Sequence, residues 1–104
     1  MICLVAHVIA RPGMRSRILE KFLANVPAVL AEEGCLEYAA FVDAAGAPSF
    51  QAPVGAETFV VVEKWDSLEA LRKHAATPHM AAYGAATKDW IASKVIHILQ
   101  PAGS

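Results

Sequence analysis

Two segments of this chain, "ICLVA" at residues 2–6 and "FVVV" at 59–62, are apolar at odd and even positions alike. Their β-branched residues favour extended backbone, and a strand points successive side chains to opposite faces. A strand in a sheet with one wet face alternates apolar and polar residues; these two do not, so both faces of their sheet need cover. Helices of the same chain can cover one face. The simplest cover for the other is a second copy of the sheet, so the pattern alone predicts a homodimer. Only 18% of residues are charged and 56% are hydrophobic, a surplus that also suits a buried interface.

The remaining punctuation gives the element order. "ICLVAHVIA" (2–10) reads as a strand closed by "RPG". From Met14 the apolar period changes: Ile18, Phe22, Val26 and Leu30, with Leu19, Leu23 and Val29 beside them, mark an amphipathic helix. Pro27 should kink or split its last turns, and the glycine of "EEG" (32–34) should stop it. "CLEYAAFVD" (35–43) and "TFVVVEKW" (58–65) are the second and third strands. The Ala/Gly/Pro-rich stretch between them, with Phe50 inside it, is long enough to close over a pocket as a lid or to lie against a second subunit. A helix starts after Asp66 or Ser67 and restarts at Thr77-Pro78, with Thr77 as cap and Pro78 at the first helical position, running to residue 89. "SKVIHILQP" (93–101) is the fourth strand. The order β-α-β-β-α-β predicts a ferredoxin-like α+β fold, an antiparallel four-stranded sheet with its helices on one face, and a single domain over residues 1–104.

Several function classes drop out. A net charge of −1 with scattered basic residues leaves no footprint for nucleic acid. No apolar run approaches the roughly 20 residues that span a bilayer, and the N-terminus lacks a charged leader and a cleavage site. A soluble, cytoplasmic protein with no membrane partner is expected. Cys3 and Cys35 have neither metal-binding spacing nor a CxxC arrangement and read as inert filler.

The candidates for chemistry cluster in "KHAATPHM" (73–80) and in the strand before it. His74 and His79 are five positions apart, about 140° around a continuous helix, and Pro78 breaks that helix; paired metal ligands prefer a spacing of four, so no metal is expected. His74 follows Leu71 by three residues and Ala70 by four, which turns it toward the sheet. It is either a satisfied core histidine or a general base at a pocket between sheet and helices. Glu63 shares a strand face with Phe59, Val61 and Trp65; a buried carboxylate is costly alone, so an ion pair or interface hydrogen bond is preferred to catalysis. Trp65 reads as core or pocket wall, and Tyr38 and Tyr83 as phenols that hydrogen-bond a ligand or simply pack. His7 shares a face with Cys3 and Val5, either in the pocket or at an interface, and His79 sits where its ring can cap the restarted helix.

The "RPG" turn, "EEGCLEY" and above all "FVVVEKWDSLEALRKHAATPHM" resemble the antibiotic biosynthesis monooxygenase superfamily over nearly the whole chain. The most specific string is E-x-W…A-L-x-x-H…T-P-H, here Glu63, Trp65, Ala70, Leu71, His74, Thr77, Pro78 and His79. The resemblance implies a dimeric α/β barrel. It also implies an enzyme that oxidises quinols or polycyclic phenols with dioxygen and uses no flavin, haem or metal cofactor. In that reading His74 is the catalytic base, Phe59, Trp65 and Tyr83 wall the aromatic substrate, and His79, Tyr38 and His7 are further substrate contacts. Haem-degrading relatives place Asn on the first strand and Trp with His on the second helix. This chain has His7 in that strand and no Trp in "SLEALRKHAATPHMAAYG", which argues against haem. An isomerase of phosphorylated autoinducer-type sugars is the alternative, its phosphate falling to Arg72, Lys73, Lys64 or the helix start at Thr77-Pro78. A non-catalytic small-molecule-binding dimer is the third.

Overall fold

A computed structural model describes residues 1–103. The elements run β1 (Ile2–Ala10), α1 (Arg15–Leu30), β2 (Cys35–Phe41), β3 (Thr58–Trp65), α2 (Leu68–Ala75), α3 (Pro78–Thr87), a short helical turn (Lys88–Trp90) and β4 (Ile91–Leu99). All strand pairs are antiparallel, in the spatial order β2-β3-β1-β4. This is the ferredoxin-like α+β fold expected from the element order.

Register assigns each side chain to a face. Leu4 pairs with Glu63, Ala6 with Val61 and Val8 with Phe59, and Tyr38 lies opposite Glu63. These residues are buried under the helices with Ile18, Phe22 and Val29 of α1 and Ala70 and Leu71 of α2. The alternate residues, among them Val5, Val60, Val62, Ala39, Phe41, Val95 and Leu99, form the other face of the sheet. That face is mainly apolar, with His7, His97 and the Lys64–Glu37 pair among its polar groups, and Phe41, Val95 and Leu99 on it are exposed. No helix among the described residues is long and apolar enough to cross a membrane.

Four local expectations are corrected. Pro27 does not split α1, which continues to Leu30. The carbonyl that loses its partner belongs to Leu23, an exposed residue, so water can take the place of the missing N–H. The second strand stops at Phe41, because Asp43 turns inward and its carboxylate accepts the backbone N–H groups of Val54 and Gly55, each at 2.9 Å. The last strand starts at Ile91, two residues early. The same Asp43 contacts fold the 44–57 segment back on itself; none of it lines the cavity described below, and Phe50 is 89% exposed. As placed, this segment is not a lid.

One glycine matters for the site. Gly34 has φ +83°, and a Cβ there would stand 2.6 Å from Asp66 Oδ1 and 2.7 Å from Ala70 Cβ. Only glycine lets the chain leaving α1 press against the start of α2 with this backbone. That approach brings Glu32, just beyond α1, over the end of α2.

Candidate active site

The short helix α2 is fixed at both ends. Ser67 Oγ accepts the N–H of Ala70 at its start, and Thr77, just past its end, donates its hydroxyl to the carbonyl of His74 at 2.9 Å. Thr77 then caps α3, its Oγ1 accepting from Met80 N. Chain direction changes between two capped helices, and His74 and His79 end up on the same side of that corner.

Both rings bond to one oxygen. His74 Nδ1 lies 2.9 Å and His79 Nε2 2.8 Å from Glu32 Oε2. A carboxylate oxygen accepts, so each imidazole carries its proton on the nitrogen that faces Glu32. A neutral His74 then has its lone pair on Nε2, which stands 3.7 Å from Glu63 Oε1. That is too long for a hydrogen bond. Among the described residues no fully buried side-chain nitrogen or oxygen lacks a partner, so His74 Nε2 is an atom the adjacent cavity reaches. Glu63 Oε1 accepts the indole N–H of Trp65 at 3.0 Å, a contact made possible because residues two apart on a strand share a face.

The cavity has a volume of about 490 Å³ and lies between the sheet and the helices. Leu4, Ala6 and Val61 of the sheet form its floor, and Phe22, Leu71 and Met80 of the helices form its walls. Its polar groups include Tyr38, Glu63, His74 and Tyr83, with the exposed Lys88 and Lys94 at the rim. Burial pushes the Glu63 carboxyl above the usual carboxylate range, against the Trp65 N–H and the His74 ring, and the nearby Glu32 adds to the rise. Burial lifts the Tyr83 phenol to about 12 and, with Glu63 behind it, raises Tyr38 further still. Both phenols therefore remain O–H donors at neutral pH. An apolar slot with protonated phenols and one available imidazole nitrogen suits a flat molecule that carries hydroxyl groups.

Comparison with known proteins agrees with the sequence string that runs through this site. The sequence model of the family described as antibiotic biosynthesis monooxygenase matches residues 1–86. The chain belongs to the antibiotic biosynthesis monooxygenase family. With the family comes the enzyme class, an oxidoreductase of the monooxygenase type. A relative in Escherichia coli K12, named a probable quinol monooxygenase, is 42% identical over 103 residues, which are 97% of this chain and 98% of the relative. Among solved structures, PA3566 of Pseudomonas aeruginosa superposes with a TM-score of 0.81 at 24% identity, covering 98% of this chain and 94% of that one. Rv0793 of Mycobacterium tuberculosis gives 0.80 at 24% identity, covering 99% and 96%. At these identities the structures bear on the fold.

Within this monooxygenase-family domain the seven candidate residues divide into three groups. His74, Tyr38 and Tyr83 line the cavity. Trp65 and Phe59 are fully buried and do not: Trp65 packs its ring 4.6 Å from that of His74 and acts on the cavity through Glu63, while Phe59 lies edge-on to Phe22 at 6.3 Å. His79 and His7 lie elsewhere. His79 sits behind His74, on Glu32 and beside a separate shallow groove. His7 is on the opposite face of the sheet, its ring 6.5 Å from that of His97, because strand parity places it with Val5 and against Leu4 and Ala6. The geometric argument that kept His74 and His79 apart is also corrected: the break at Pro78 redirects the chain and brings the two rings together.

Glu32, Phe22 and Met80 were not among the candidates. Phe22 stacks on Tyr38 with centroids 4.7 Å apart, and the Tyr38 hydroxyl points at Met80 Sδ at 3.8 Å. Helical spacing had marked Phe22 as apolar core, and nothing local marks Glu32 as more than part of a helix stop.

Proposed function

We propose that this protein is a cofactor-independent monooxygenase that oxidises a quinol or polycyclic phenol with dioxygen. The observation that carries the reading is the Glu32–His74 pair: a buried imidazole held by one nitrogen, with the other turned to an apolar cavity. A phenolic hydroxyl on the cavity side of His74 Nε2 and Glu63 Oε1 can bond to both, whereas these two atoms, 3.7 Å apart, do not bond each other. His74 takes the phenolic proton, and Glu32 steadies the imidazolium that results. The phenolate passes an electron to dioxygen, the two radicals join at a ring carbon, and the hydroperoxide loses water. One oxygen atom enters the product and one leaves as water, with all four electrons drawn from the substrate. No external reductant is needed. The apolar walls exclude bulk water, and the phenols of Tyr38 and Tyr83 supply donors for the developing oxyanion. The 42% identity to a relative named a probable quinol monooxygenase supports the substrate class.

The test is dioxygen uptake by metal-stripped protein with a panel of hydroquinones and anthrones. The expected result is uptake above autoxidation, equimolar with substrate consumed. Background rates across the whole panel overturn the reading.

A second reading has one specific observation in its favour. Lys64 points away from the cavity and pairs with Glu37 at 3.3 Å, but Lys88 and Lys94 line the rim. Two ammonium groups there can hold a phosphate, as an isomerase of a phosphorylated sugar requires. Conversion of such a sugar without oxygen separates the two.

The working unit in this proposal is a homodimer joined through the apolar sheet face. Val62, at the centre of that face between Val5 and Ala39, is the residue to change. Sedimentation is expected to give twice the chain mass for the native protein and the single-chain mass for Val62→Glu, because a carboxylate buried without a partner is not tolerated there. A native protein that sediments as one chain removes the dimer from the proposal.

A further inference from the structure

We propose that Glu32, His74 and His79 form a binding site for a divalent transition-metal ion of the zinc and cobalt class, and that its occupation silences His74 as a base. The three side chains offer one carboxylate oxygen and two imidazole nitrogens, all within 4.8 Å of one another. Tetrahedral ligands held at roughly 2.0–2.2 Å from zinc lie about 3.4 Å from each other. The contacts of 2.9 and 2.8 Å to Glu32 Oε2 are therefore a little tighter than a loaded site, and small rotations of the two rings make room for an ion in place of the bridging protons. Two histidines and one glutamate leave a fourth position open, a known arrangement for zinc.

Glu63 supplies an independent argument. A ligating histidine almost always donates its remaining ring N–H to a carboxylate, a carbonyl or water, which fixes the tautomer and raises ligand basicity. Here a metal on Nδ1 of His74 leaves the proton on Nε2, and the carboxylate of Glu63, at 3.7 Å just beyond hydrogen-bond reach, becomes its acceptor once the ring turns toward it. Trp65 holds that carboxylate through the same oxygen, Oε1, at 3.0 Å. The chain thus carries an outer carboxylate and an anchor for it, as well as the three ligands. Access is through His79, whose side chain is 28% exposed against 4% for His74.

The metal-bound and base-competent forms of His74 exclude each other. Without metal, Nδ1–H bonds to Glu32 and Nε2 accepts a proton from the cavity. With metal, Nε2 already carries the ring proton and has no lone pair left to accept another. Binding of the ion stands apart from the proposed oxygenation; only the silencing rests on that reading.

The experiment is a titration of the full, chelator-stripped protein with Co(II), followed by Zn(II). One cobalt per chain is expected, with the intense visible bands of a four-coordinate site that zinc then abolishes. His79→Ala, which removes a part-exposed ring and opens no core cavity, should weaken binding by more than roughly 100-fold, beyond the range of an outer-shell change. Glu63→Gln should weaken it by roughly 10- to 100-fold. His97→Ala, at the other histidine pair, should leave it unchanged. Absence of cobalt bands at stoichiometric metal, or binding that survives His79→Ala and is lost in His97→Ala, overturns the site. Where oxygen uptake is present, zinc should suppress it over the range in which it displaces cobalt; full uptake with the site saturated overturns the silencing. A protein with no oxygenase activity still gives a clear answer from the cobalt spectrum.

Discussion

Replacing His74 by alanine is expected to lower kcat/KM for quinol oxidation by about 100- to 10,000-fold, the range a positioned general base contributes. The size of the loss follows from the surroundings. His74 is the one imidazole among the residues lining the cavity, and the other groups near its Nε2 are poor substitutes. The two phenols hold their protons because burial raises them. Glu63 is itself pushed upward by burial but lies 3.7 Å from the atom it would have to replace. Removing the ring also frees Glu32 from one of its two partners, so a control for folding belongs beside the kinetics. Anaerobic binding of a quinone product is suitable, since the apolar walls that hold it are unchanged and its affinity should move far less than the rate. Glu32→Gln, which keeps an acceptor for Nδ1–H but not the charge that steadies the imidazolium, should fall between native protein and His74→Ala. A variant without His74 that turns over within a factor of two of the native protein would eliminate the base, and with it the role given to the Glu32–His74 pair.

What could be read from sequence, and what could not, divides by range. Strand β3 was legible because its run of β-branched and aromatic residues is a local signal, and because Glu63 and Trp65 share a face by parity alone. Caps at Ser67 and Thr77 were legible for the same reason: Ser, Thr and Pro satisfy backbone groups within three residues of themselves. The errors arise where the chain meets itself. Glu32 is 42 and 47 residues away from the histidines it joins, and only the close approach at Gly34 brings it there. The His74–His79 pair was misjudged by applying the angle of a continuous helix across a break whose effect is to change that angle. Lys94 was missed as a cavity residue because the register of β4 against β1, which sets it opposite Val8, is a pairing at a distance, and Lys88 because the turn before β4 is placed by that same strand. Pro27 was expected to split a helix that tolerates it, since the orphaned carbonyl belongs to Leu23, an exposed residue on the solvent side of α1.

The largest expected loss of stability is at Trp65. Trp65→Ala should cost about 3–5 kcal/mol, the usual range for removing a large buried aromatic. The residue is fully buried, and a domain of this kind has only about 5–15 kcal/mol in total, so the variant should unfold at much lower denaturant with a similar slope. Trp65→Phe separates the two things the side chain does. It restores most of the packing but removes the indole N–H, leaving Glu63 Oε1 without the hydrogen bond it accepts from Trp65. An unsatisfied buried polar group costs about 1–3 kcal/mol, so this conservative change should still be plainly destabilising. Adding Glu63→Leu to Trp65→Phe should then recover stability, because the group that had lost its partner is gone. If Trp65→Phe is as stable as the native protein, the hydrogen bond contributes nothing and Trp65 is core alone. Glu63 would then lack the anchor that both the hydroxyl-bridging position in catalysis and the outer carboxylate of the metal site require, and each of those roles would have to be abandoned for it.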